Sequence, residues 1–187
     1  MKAIRPMKRR AIFGGSFDPP HIGHQAIIMW ALSTQQADEV VVVPCFEHPF
    51  GKPLSDFNER ALMCSRLCEP FSGRAWVSWI EKKLKGVSHT VRTLQHFIAE
   101  SQPDEECFLL IGADAYAERG RWKDFARIES MVGIISPGRG ALVAEEAPVL
   151  SGISSTQVRR MLKEGKDISA LVPARVKKHI MIKGLYR

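Results

Sequence analysis

His21 and His24 stand three residues apart in the run His21-Ile22-Gly23-His24, which opens seven residues after Gly14 of a glycine pair. The segment before them, Arg10-Ala11-Ile12-Phe13, reads as a short buried strand. Gly14-Gly15-Ser16-Phe17-Asp18-Pro19-Pro20 is not expected to continue it, because glycine and proline break a ladder, so the chain must turn sharply there. From Ile22 onward, Ile22, Ala26, Ile27, Trp30 and Ala31 recur at helical spacing, which puts both imidazoles on one side of the first turns. A helix N-terminus already favours phosphate through its free N–H groups and its dipole, so two imidazoles beside it make phosphate handling the expected chemistry. A glycine-rich turn after a strand is common by itself. The succession of strand, turn and helix gives the string from Gly14 to His24 its specificity.

A second constellation precedes a helix near the other end of the chain. In Ile153-Ser154-Ser155-Thr156-Gln157-Val158-Arg159 three hydroxyl side chains lead into a helix that carries Arg159 and Arg160. Hydroxyls and free backbone N–H groups with an arginine one turn inside form a second phosphate cradle. The alternative is an ordinary N-capped helix with surface arginines.

The elements that must hold these groups alternate. Glu39-Val40-Val41-Val42-Val43-Pro44 is a β-branched run of the kind covered on both faces in a parallel sheet. Residues 45–55 contain Pro49, Gly51 and Pro53 and read as an exposed loop. Ser55 or Asp56 caps an expected helix to about Glu69, with Leu62, Met63, Arg66 and Leu67 along it. Further strands are expected at Ala75–Ser78, Cys107–Ile111 and Met131–Ser136, with a helix from Thr90 to about Glu100. Two helices, Thr156 to about Lys163 and Pro173 to about Lys183, close the chain. The pattern predicts one α/β domain over 1–187, a doubly wound, Rossmann-like parallel sheet with a C-terminal helical segment at 153–187. Ligands of such sheets lie beyond the carboxyl ends of the strands, and Gly14 to His24, Lys52, Gly112 and Asp114 all fall just after strands.

Composition narrows the function classes. No apolar run is long enough to span a bilayer, and no signal-peptide core follows the basic residues Lys2, Arg5, Lys8, Arg9 and Arg10, so a cytoplasmic protein is expected. That basic cluster reads as a solvated tail over 1–9. The net charge of +7 fits a polyanionic ligand, whether nucleotide phosphates or nucleic acid. Without a basic patch interleaved with aromatics, neither nucleic acid nor membrane is the expected partner. Cys45, Cys64, Cys68 and Cys107 include no C-x-x-C pair and read as reduced thiols, although Cys64 and Cys68, with Cys45 and His48 upstream, leave a structural zinc open.

Taken together, the chain resembles the nucleotidyltransferases with H-x-G-H and I-S-S-T-x-x-R signatures. Within them it is similar to the nicotinate-nucleotide adenylyltransferase family. Gly14 to His24, Ile111-Gly112-Ala113-Asp114, Trp122, Pro137-Gly138-Arg139, the I-S-S-T segment and Gly184-Leu185-Tyr186 occur in that family's order over nearly the whole chain. Class I aminoacyl-tRNA synthetases share H-I-G-H but are far larger and carry a K-M-S-K-S-type loop in place of I-S-S-T.

The resemblance implies transfer of AMP from ATP to a phosphorylated mononucleotide, nicotinate mononucleotide in the first instance, with Mg²⁺ carried on the ATP phosphates. It implies catalytic roles for His21, His24 and Arg159. It implies ATP contacts at Gly14, Gly15, Ser16, Phe17, Gly112, Asp114, Ile153, Ser154, Ser155 and Thr156, and acceptor contacts at Phe13, Lys52, Thr90 and Trp122. Trp122 reads equally as a core anchor. The loop Cys45-Phe46-Glu47-His48-Pro49-Phe50-Gly51-Lys52 departs from the family's P-P-H-K-like string, and the stretch between Arg139 and Ile153 is short. Both departures bear on the acceptor. Alternatives are therefore another phosphorylated acceptor, such as nicotinamide mononucleotide, for an adenylyl- or cytidylyltransferase, or a nucleotide sensor without turnover.

Overall fold

The computed structural model describes residues 7–137 and 153–187. Gly138 and Arg139, the short stretch before Ile153 and the first part of the basic N-terminal run lie outside the described residues.

Five parallel strands form the sheet: β1 (Lys8–Gly15), β2 (Glu39–Pro44), β3 (Ala75–Val77), β4 (Glu105–Leu110) and β5 (Gly133–Ile135), in the order β3-β2-β1-β4-β5. The doubly wound α/β expectation therefore holds, with the switch of strand order between β1 and β4. Alternation decides the two cores. Ala11, Phe13, Val40 and Val42 face the layer that contains Ile28, Ala31, Cys64 and Leu67, from α1 (Ile22–Ser33) and α2 (Phe57–Cys68). Ile12, Val41, Val43 and Leu109 face Val91, Leu94 and Phe97 of α4 (Thr90–Glu100) and Ile128 of α6 (Phe125–Met131). Both faces are covered, which is why β2 reads as unbroken valine, each such burial contributing on the order of 1.5–3 kcal/mol. A third core joins Met63 of α2 to Val158 and Leu162 of α7 (Ser155–Lys163) and to Val176 and Ile180 of α8 (Ala174–Lys183).

Several expectations are corrected. Gly14 and Gly15 do continue β1, pairing with Val43 and Pro44, and the Gly15 carbonyl accepts from the Cys45 N–H at 2.9 Å. Glycine weakens a strand without preventing pairing, and here only the β2 side is paired, since β4 ends opposite Phe13. A side chain at Gly15 would meet the Phe17 ring at 3.0 Å. The turn comes instead at Phe17, whose φ is 47°. Lys8 and Arg9 belong to β1, not to a tail: Lys8 pairs with Glu39 at 2.7 Å and the Arg9 guanidinium lies 4.6 Å over the Phe108 ring. Met131 closes α6, and β5 starts at Gly133. In α2, Asp56 is the cap, accepting from the Asn58 and Glu59 N–H groups, while Leu62 and Arg66 face solvent. The short helices α3 (Ile80–Leu84) and α5 (Ala113–Ala117) span five residues each, too few to show a period. No helix among the described residues is long and apolar enough to cross a membrane.

One buried cation fixes the loops at the carboxyl end of the sheet. Arg60 of α2 is 1% exposed and donates to the carbonyls of Ser16 and Cys45, both at 2.9 Å, and of Ser55 at 2.9 Å. Three carbonyls, one from the loop after β1 and one from each end of the loop after β2, share one guanidinium. Arg60→Met keeps the bulk and strands all three, so it is expected to cost on the order of 3 kcal/mol, seen as a lowered urea midpoint at unchanged slope. An unchanged midpoint would show that these loops hold without it.

Candidate active site

The histidine pair is built by the start of α1. His21 is the extended N-cap residue, and its backbone N–H donates to Nδ1 of His24 at 3.1 Å. The two rings stack at 3.7 Å between centroids. Since Nδ1 of His24 accepts, its hydrogen sits on Nε2, which is thereby a donor. Phe17 meets the His24 ring edge-on at 4.8 Å, and Phe13 packs against Phe17 at 5.4 Å. Phe17 is thus an apolar bed beneath the imidazole, with its own ring 1% exposed. The same ring space requires Gly23, where a Cβ would stand 3.0 Å from His21 Nδ1.

Burial pushes the His21 imidazole down to about 4, and burial together with the neighbouring His21 holds His24 well below its ordinary value. Both rings are neutral hydrogen-bond donors at neutral pH, not cations. Positive charge must come from elsewhere in the site.

One cavity of about 870 Å³ lies beyond the carboxyl ends of β1, β2 and β4. Phe13, Gly14, Gly15, Ser16, Phe17, His21, His24, Lys52, Thr90, Gly112, Asp114, Trp122, Ile153, Ser154, Ser155 and Thr156 all line it. Arg159 alone of the expected residues does not. Its guanidinium donates to the Asp18 carbonyl and, at 3.3 Å, to the Thr156 hydroxyl, so it joins α7 to the loop after β1. The Ser155 hydroxyl makes a parallel tie to the Pro19 carbonyl at 2.9 Å, and Ser154 caps α7 through the Gln157 N–H at 3.2 Å. The I-S-S-T segment is thus a capped helix start that also faces the cavity.

Trp122 likewise serves twice: it packs edge-on against Phe125 at 5.8 Å and forms part of the cavity wall. Across from it, the loop after β2 brings His48, Phe50 and Lys52 to the rim, and the Arg121 guanidinium lies 4.7 Å over the Phe50 ring. Burial, then Lys52, lowers the His48 imidazole.

The zinc alternative finds no support. The four cysteines are buried free thiols, burial raising Cys68 to about 12, and among the described residues no group of three or more His, Cys, Asp or Glu is arranged to hold a metal.

Three residues that organise the site have no role that motif or spacing assigned them. Arg60 shares the face of Met63, Cys64 and Leu67 by spacing, a signal available in the sequence. Asp18, 2% exposed, accepts from the Tyr186 hydroxyl at 2.7 Å and the Ser55 N–H at 3.2 Å. Ser88 accepts from the Phe46 N–H at 2.7 Å. Nothing short of the fold reveals the last two.

A parallel sheet with its crevice at the switch point, a stacked imidazole pair on one side and a hydroxyl-capped helix on the other define a nucleotide-binding α/β protein of the nucleotidyltransferase class. The cytidylyltransferase-like family profile matches residues 12–161. Similar proteins include a "Probable nicotinate-nucleotide adenylyltransferase" of Anaeromyxobacter dehalogenans, 41% identical over 181 residues that cover 95% of this chain and 96% of the relative. One of the same name in Myxococcus xanthus is 38% identical, covering 98% and 97%. Among solved structures, a putative nicotinate-nucleotide adenylyltransferase from Vibrio parahaemolyticus superposes with a TM-score of 0.75 at 25% identity, covering 97% of this chain and 96% of that one. The chain belongs to the cytidylyltransferase-like family and, within it, to the nicotinate-nucleotide adenylyltransferases.

Neutral imidazoles give stability a pH dependence of definite sign. Between the folded value of about 4 and the ordinary 6.5 of His21 the unfolded chain binds more protons, so stability present above pH 6.5 is lost as pH falls toward 4. The loss from His21 is on the order of 3 kcal/mol. Urea unfolding between pH 7 and 4 should show it, and a His21→Gln, His24→Gln double variant should flatten the curve.

Proposed function

We propose that the protein transfers AMP from ATP to nicotinate mononucleotide, giving deamido-NAD and pyrophosphate by direct attack. The observation that carries this is a single cavity holding the imidazole pair and the Ser154–Thr156 hydroxyls together with Lys52, Thr90 and Trp122. Two nucleotides meeting in one crevice need no enzyme-bound intermediate.

The acceptor phosphate, with a second pKa near 6, is mostly dianionic at neutral pH and is its own nucleophile. Its oxygen bonds to the α-phosphorus of ATP while the bond from that phosphorus to the bridging oxygen breaks, and pyrophosphate leaves with the electron pair. His21 and His24 act as donors to the reacting phosphate oxygens; being neutral and fixed by stacking, they are preorganised in a desolvated place. Ser154 to Thr156 take the β and γ phosphates through hydroxyls and backbone N–H groups, and Arg159 holds that helix against the loop. Gly14, with open space above its backbone, lets the nucleotide lie close. Lys52 meets the acceptor phosphate, Trp122 offers a flat face to the pyridine ring, and Thr90 borders its substituent.

Because the cavity supplies hydroxyls, amides and imidazoles more than clustered carboxylates, it fits Mg²⁺ brought in on the triphosphate, with Asp114 an acid on its wall. When bound, the ion neutralises charge on the leaving pyrophosphate. The expected setting is the cytoplasm.

Pyrophosphate release should require nicotinate mononucleotide in the presence of ATP and Mg²⁺, with nicotinamide mononucleotide much the poorer acceptor. His24→Ala should lower turnover about 10²- to 10³-fold, as loss of a preorganised donor does. Release that prefers another acceptor would move the assignment to that compound, and nucleotide binding without release would make the chain a sensor. Gly23→Ala should lower turnover by about tenfold by displacing the His21 ring. The same change should leave thermal stability within about 1 kcal/mol of the parent, since the helix preference of alanine is offset by the cost of moving that buried ring.

A further inference from the structure

Glu81 of α3 is 2% exposed, yet it reaches the lining of the cavity and takes no part in the chemistry above. Its two carboxylate oxygens divide their work. Oε2 accepts from the Ser88 hydroxyl at 2.5 Å and faces Arg92 Nη2 at 3.7 Å, while Oε1 accepts from the Thr93 hydroxyl. A serine hydroxyl has one proton, and Glu81 takes it. The Ser88 oxygen is then left as an acceptor, and the Phe46 N–H donates to it at 2.7 Å. The Ser88 N–H in turn donates to the Glu47 carbonyl at 3.0 Å, and Glu47 bridges Val87. The result is a directed chain, from the Phe46 amide through the Ser88 hydroxyl to a buried charge, in which each bond polarises the next.

This chain joins two segments far apart in sequence. Phe46 opens the loop that carries His48, Phe50 and Lys52 to the rim, and Ser88 precedes Thr90 at the start of α4. A buried carboxylate is a poor device for stability alone, since an apolar residue of its volume commonly does as well. It is a good device for specifying one hydroxyl orientation. We propose that Glu81 is a positioning residue that, through Ser88, locks the loop after β2 to the start of α4 and thereby sets affinity for the acceptor. The assignment of that wall to the acceptor rests on the function proposed above; the lock itself does not.

Glu81→Gln keeps the shape and removes the charge. In the full ligand-free chain, amide hydrogen exchange at Phe46 should quicken about tenfold or more while the β1 amides keep their protection. In steady-state assays the KM for nicotinate mononucleotide should rise about tenfold, with kcat and the KM for ATP within about twofold. Ser88→Ala, which leaves Glu81 its Thr93 and Arg92 contacts, should reproduce both effects, and the double variant should be no worse than either single one. It also serves should Glu81→Gln fail to fold. Unchanged Phe46 exchange overturns the lock. Faster exchange without the KM split, or equal change in both KM values, overturns its role in acceptor affinity. A wild-type protein with no acceptor-dependent pyrophosphate release overturns the proposed function instead, and the exchange result then decides the lock by itself.

Discussion

Everything at the mouth of the sheet depends on satisfying the backbone of one sharply turned, buried loop. Between Gly15 and His21 the chain has no ladder to complete its hydrogen bonds, and buried carbonyls left alone are costly. Side chains from remote elements fill the need. Arg60 bonds the Ser16 carbonyl, Arg159 the Asp18 carbonyl and Ser155 the Pro19 carbonyl, while the Asp18 carboxylate accepts from Tyr186 and the Ser55 N–H. The Ile22 N–H, one of the first-turn donors of α1, goes to the Leu171 carbonyl at 2.9 Å. Helices α2, α7 and α8 are therefore more than cover for a sheet. Their packing on one another around Met63 and Val158 sets where those donors stand, and so sets the loop that carries the imidazoles.

The imidazoles themselves follow from the same enclosure. Stacked on each other and bedded on Phe17, they lose solvation faster than they gain any anionic neighbour, so their charge is removed in the resting protein. A polyphosphate supplies the missing anion. The site thus meets its substrate with oriented neutral donors, and the basic side chains Lys52 and Arg121 stand at the rim.

Much of this was legible before the fold. Val40 to Val43 could only be a strand covered twice, and the His21 and His24 spacing fixed their common side. The clustering of chemistry after strands located the cavity, and sixteen of the seventeen expected site residues line it. What escaped has physical causes. Gly14 and Gly15 stay in β1 because only one side of the strand needs pairing there, a fact of topology and not of composition. Arg159 is engaged by a carbonyl 141 residues away. Glu81, Ser88 and Phe46 belong together only because two loops meet in space, which no periodicity reports. Arg60 is the instructive case: its spacing placed it on the apolar face of α2, but a charged residue there is readable only once buried carbonyls are known to await it.

Tyr186 bonds Asp18 across 168 residues of chain. In chain order the sheet neighbours β2, β3 and β4 follow the segment from Gly14 to His24, yet the Asp18 carboxylate waits for a hydroxyl that comes after all of them. A nascent chain that still lacks α8 and the residues beyond it can collapse its sheet while its nucleotide crevice is unfinished. The bond makes the crevice loop a non-local structure: its hydrogen bonds are complete only when a segment 168 residues further along has folded against it.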